Sequence, residues 1–101
     1  MGILSELGVK EDRLTEILKI HNESLKWMYD NLSEIQDSYS GKFIAIINKK
    51  VVDSDEDRGI LFQKLSAKFD KREIEEIFID YVNPKDVILI LLLNRSEHLL
   101  Q

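Results

Sequence analysis

Along the first forty positions, seven apolar side chains and one histidine recur with a strict rhythm. Leu14, Leu18, His21, Leu25, Met28, Leu32, Ile35 and Tyr39 step alternately by four and three residues. That spacing lays a single seam along a helix and presents it to another surface. The pattern predicts one helix over 10–37, with Glu11 and Asp12 in a first turn that favours acidic residues. Ser38, Ser40 and Gly41 close it.

From Lys42 the period changes. Phe43-Ile44-Ala45-Ile46-Ile47 and Val51-Val52 read as two strands, with Asn48 suited to the positive φ of a tight turn. Ser54 followed by Asp57 resembles a capping box opening a second helix, whose Leu61, Leu65 and Phe69 repeat every four residues. Arg72–Val82 fits either period, and its β-branched and aromatic end at 77–82 favours a strand. Asn83-Pro84-Lys85-Asp86 then reads as a turn, with Asn83 as a helix N-cap the alternative. The uniformly apolar Val87–Leu93 reads as a strand covered on both faces.

The fold predicted is α+β: a long N-terminal helix followed by a ββαββ unit over 42–93 with a mainly antiparallel sheet, forming one domain over 1–101. A helix of 28 residues reaches about 42 Å, whereas seven-residue strands reach about 24 Å. Part of the seam therefore extends beyond what its own sheet covers.

Gly41-Lys42-Phe43-Ile44-Ala45-Ile46, Val51-Val52-Asp53-Ser54 and Ile77-Phe78-Ile79-Asp80-Tyr81-Val82-Asn83-Pro84 occur in that order. Together they resemble a small, mostly archaeal domain family of unknown function. Its members share a Gly-Lys-aromatic-Val/Ile-Ala strand, a Val-Val return strand, a helix and a closing strand. The resemblance covers 38–84 and supports a strand at 77–82, with Phe43 standing where Trp is commoner. It implies no activity and carries no catalytic residues.

Composition narrows the functional classes. A net charge of −5 argues against nucleic acid or an anionic membrane as partner. With no cysteine, disulfide and thiolate chemistry are excluded. Met1–Lys10 lacks the pattern of a secretory signal, and Val87–Leu93 falls well short of the roughly 20 apolar residues of a membrane helix. These features point to a cytoplasmic protein with no membrane association.

Candidate chemistry is sparse. Asp53, Asp55 and Asp57 alternate as in a calcium loop, but counting from Asp53 the required Gly is Arg58 and the required Glu is Lys64. Val51-Val52-Asp53-Ser54 lacks the glycine of an aspartic-protease loop, since Asp55 stands there. His21 and His98 have no cysteine to complete a metal set. Glu73, Glu75 and Glu76 read as a solvated face, and Lys42, Lys49 and Lys50 as a hairpin that discourages edge pairing. No catalytic, cofactor or metal residue is assigned.

The functional expectation is a non-enzymatic assembly module, homodimeric through Leu14, Leu18, His21, Leu25, Met28, Leu32, Ile35 and Tyr39. Trp27 and Tyr29 flank this seam and are expected to pack on the sheet, with a role as interface anchors the alternative if exposed. His21, polar within the seam, reads as an edge residue reaching solvent, with fixing of register or pH sensitivity the alternatives. A regulatory or antitoxin-like subunit docking on a larger protein is the alternative, and a small-molecule enzyme the remote one.

Overall fold

The computed structural model describes residues 11–86. Helix α1 (Glu11–Asp30) and helix α2 (Leu32–Tyr39) lead into strands β1 (Phe43–Ile47) and β2 (Lys50–Asp55). Helix α3 (Arg58–Lys68), helix α4 (Lys71–Glu76) and strand β3 (Phe78–Tyr81) follow. The sheet has the order β2-β1-β3 and both pairings are antiparallel. This is the α+β class expected from the sequence.

β1 decides the layering. Ile44, Ala45 and Ile46 are fully buried, so the strand needs cover on both faces. On one face Ile44 and Ile46 meet Met28 and Ile35, with Trp27, Leu32, Tyr39, Val51 and Phe78 around them. On the other, Ala45 meets Leu61, Leu65 and Ile77, with Phe43, Ile47, Val52, Phe69 and Ile79 alongside. The helices α1 and α2 thus cover one face and α3 the other.

β1 and β2 are joined by Asn48 and Lys49, both at positive φ (53° and 58°), as a two-residue type I′ hairpin turn requires. The register shifts between Ala45, which faces Asp53, and Ile46, which faces Val51. Val52 is the extra residue of a β-bulge. Val51 packs under α1–α2 and Val52 under α3, and the bulge lets Asp53 face α3 as well, where it meets Lys64 and Lys68. Gly41 (φ 78°) makes the return from α2, and its N–H donates to the Val82 carbonyl at 2.8 Å.

Three expectations are corrected. The helix expected over 10–37 is two helices, broken at Asn31 (φ −119°, ψ 21°). The Asn31 N–H divides between the Trp27 and Met28 carbonyls, and its side-chain amide donates to Trp27 as well, at 2.9 Å. Such local side-chain bonding competes with helical continuation and bends the chain.

The N-cap of α3 is Asp57, which accepts from the Ile60 N–H, while Ser54 belongs to β2. The strand reading of 72–82 holds only for Phe78–Tyr81. Ahead of it lies α4, set by a capping box in which Asp70 accepts from the Glu73 N–H and Glu73 accepts from the Asp70 N–H. Lys85 and Asp86, the last described residues, have helical backbone. The strand expected at Val87–Leu93 lies outside the described residues.

Lys49 carries a β-carbon into left-handed conformation, which costs a non-glycine residue about 1–2 kcal/mol. Lys49→Gly is therefore expected to stabilise the protein by about 1 kcal/mol and raise its melting temperature by about 4–8 °C in thermal circular dichroism. A lower melting temperature would mean that the lysine side chain itself supports the turn.

Candidate interaction surface

Three surfaces hold the chemistry singled out in the sequence, and two of them are satisfied from within. The first lies where α1 crosses α4. Arg13, only 15% exposed at its side chain, reaches Glu76 at 3.1 Å, Glu75 at 3.6 Å and the Arg72 carbonyl at 3.1 Å. Its Nη1 sits 3.1 Å from Glu16 as an ion pair without hydrogen-bond geometry. The Glu76 hydrogen bond, outweighing the cost of burial, holds the guanidinium above its ordinary value.

His21 joins the same contact. Its Nε2 donates to the Glu75 carbonyl at 2.8 Å, and its ring tilts against Phe78 at 6.0 Å. Glu75 and Glu76 are thus partners of an arginine, and Glu73 is a helix cap. The helix α4 supports the N-terminal half of α1 that the short strands leave uncovered.

The second surface lies where β2 meets α3. Lys64 Nζ stands 3.2 Å from both Asp53 and Asp55, and Lys68 meets Asp53 at 2.8 Å. The ammonium of Lys64 sits between the two carboxylates that the calcium reading would have offered to a cation. Hydrogen bonding from Lys68 holds Asp53 below the ordinary carboxylate range, and the Asp57 N–H does the same for Asp55. Burial pulls Lys64 down, but Asp55 and Asp53 outweigh it and leave it raised. Among the described residues no group of three or more His, Cys, Asp or Glu side chains is placed to hold a metal.

The third surface is open. The seam divides between core and solvent: Met28 and Ile35 are buried, and Leu32 and Tyr39 pack against the same cluster. His21 turns to α4, Leu14 and Leu25 are half-buried, and Leu18 is 51% exposed. The face α1 turns inward carries Ile17, Ser24 and Met28. At about 100° per residue, Leu14, Leu18, Leu25 and Tyr29 lie within about 60° of arc, a quarter turn from that face. Tyr29, 64% exposed, completes the stripe at the spacing of one turn from Leu25, a signal present in the sequence. Trp27, by contrast, packs on the core.

Beside the stripe runs a shallow depression bordered by Thr15, Leu18, Lys19 and Asn22, continuing to Glu23 and Lys26. Residues at i, i+3, i+4 and i+7 are those that form a hole for a knob from a facing helix.

A model of a family of unknown function, DUF5678, matches residues 34–85. The chain belongs to this family. The matched segment runs from within α2 through the sheet, α3 and α4 to just past β3, so it contains the Asp53–Lys64 cluster. The α1 stripe lies outside it. Neither a curated protein nor a solved structure matches the chain. No helix among the described residues is long and apolar enough to cross a membrane.

The β2–α3 cluster gives a pH dependence of definite sign. Asp53 and Asp55 titrate lower in the folded chain than their ordinary value of 3.8. Their contribution is fully present above that value and is lost as pH falls through the folded values. The melting temperature is expected to drop steeply below about pH 4. Asp53→Asn should lower it by a few degrees at pH 7 and flatten the acid limb in melts over pH 2–7. An unchanged acid limb would place the labile carboxylates elsewhere.

Proposed function

We propose that this chain is a non-enzymatic interaction module that self-associates through the outer flank of α1. The observation that carries the reading is the apolar stripe Leu14, Leu18, Leu25 and Tyr29, exposed at Leu18 and Tyr29, while the two polar clusters at α1–α4 and β2–α3 are internally paired. The occupant inferred is a second copy, because the stripe is self-complementary. Its intervals of four, seven and four residues read the same from either end, with the midpoint between His21 and Asn22. A twofold axis at that midpoint pairs two such helices antiparallel, Leu18 against Leu25 and Leu14 against Tyr29. Antiparallel helices also oppose their dipoles favourably. The stripe spans only about 22 Å of helix, so the contact is small and the affinity modest, micromolar or weaker.

Sedimentation of the 11.8 kDa chain from micromolar to millimolar concentration is expected to show a monomer–dimer equilibrium. Leu18→Glu should weaken it at least about tenfold, equivalent to about 1.4 kcal/mol. The chain has no cysteine, so single cysteines report the arrangement. Asn22→Cys, next to the axis, should cross-link to its own copy under oxidation. Thr15→Cys should not, since its copies lie about 20 Å apart along the helices. Cross-linking at both positions would indicate parallel helices. A monomer at all concentrations refutes the self-association, and a stable complex with a different protein through the same stripe would replace it with a regulatory-subunit role.

A further inference from the structure

Among the described residues β2 is an edge strand, and its outer edge is closed by side chains of its own chain at one residue. In an antiparallel ladder, peptide groups point alternately toward the partner strand and away from it. Ile47 and Lys50 flank the two-residue turn and form a hydrogen-bonded pair, so the next pair, Ile46 and Val51, does not. Past the bulge, Ser54 opposite Ile44 likewise directs its N–H and C=O outward. Both groups are taken: Asp53 Oδ1 accepts from the Ser54 N–H at 2.8 Å, and Lys64 Nζ donates to the Ser54 carbonyl at 2.7 Å. Lys64 reaches there from the adjacent α3 and is held in place by Asp53 and Asp55.

An unoccupied strand edge pairs readily with another strand. The sequence of β2 suits a second copy of itself. Placing Val51 against Ser54 of the second copy puts Lys50 opposite Asp55, an attractive cross-strand pair. Lys64 opposes this in two ways, by occupying the Ser54 carbonyl and by holding the Asp55 carboxylate. We propose that Lys64, with Asp53, keeps the β2 edge shut, and that loss of the Lys64 charge turns this edge into an acceptor for β2 of a second copy. Lys68 is the built-in contrast, since it pairs with Asp53 but does not touch Ser54.

The test uses the full chain carrying Leu18→Glu, so that association through α1 does not contribute. Adding Lys64→Met keeps the aliphatic stem and removes the ammonium. It is expected to produce a concentration-dependent dimer by sedimentation at concentrations at least about tenfold below any association of the parent, with an intermolecular antiparallel β band in the infrared. Adding Lys68→Met instead is expected to leave a monomer. A monomeric Lys64→Met protein with native circular dichroism overturns the proposal, as does equal association of the Lys68→Met protein. Should Lys64→Met fail to fold, hydrogen exchange of the parent decides. The Ser54 amide should be protected and should exchange at least about tenfold faster in Asp53→Ala, whereas an amide already open in the parent refutes the closed edge.

Discussion

The whole arrangement depends on β1 having no face it can give to water. Phe43–Ile47 is a run of apolar residues, and Ile44, Ala45 and Ile46 reach zero exposure in the folded chain. A strand of that kind must be the middle of a sheet and must carry a layer on each side. Among the described residues β2 and β3 flank it in the sheet, α1 and α2 supply one layer, and α3 the other. Truncating Ile44 or Ile46 to alanine would open both a packing layer and the sheet centre, at a typical cost of about 2–5 kcal/mol.

That demand explains the bulge at Val52. With one layer above and one below, β2 has to give an apolar side chain to each at its turn end and carboxylates toward α3 farther along. A regular alternation would send Val51 and Asp53 to the same side. The extra residue shifts the phase, so that Asp53 follows Val52 onto the α3 side and meets Lys64 and Lys68, while Val51 stays with the other layer. The same ion pairs keep the outer peptide groups of Ser54 occupied.

The helix α1 stands apart from this economy. It lies outside the segment matched by the family model, and its support comes from sheet contacts at Met28 and from the Arg13 and His21 contacts with α4. Those contacts fix its rotation. They turn Ile17, Ser24 and Met28 inward and leave Leu18 and Tyr29 outward. A helix held in this way presents one apolar flank in a defined direction. The family match carries no activity, and the polar clusters of the described residues are engaged in holding elements together.

Local interactions were legible in the residue order. The helical period over 14–39, the turn at Asn48, the apolar run of β1 and the strand character at 78–81 each depend on near neighbours, and the chain writes them directly. The capping box Asp70-x-x-Glu73 was equally local, but the β-branched stretch beside it drew the strand reading across a six-residue helix. Other features depended on distant parts of the chain. Whether the seam faces a second helix or its own sheet turns on the break at Asn31 and on Arg13 finding Glu75 and Glu76 more than sixty residues away. A heptad fixes which residues share a stripe, but it carries no information about how far the helix is rotated on its supports. That rotation, and with it the division of the stripe into buried Met28 and Ile35 and exposed Leu18, was decided by tertiary contacts, because only packing sets the direction in which an amphipathic helix faces.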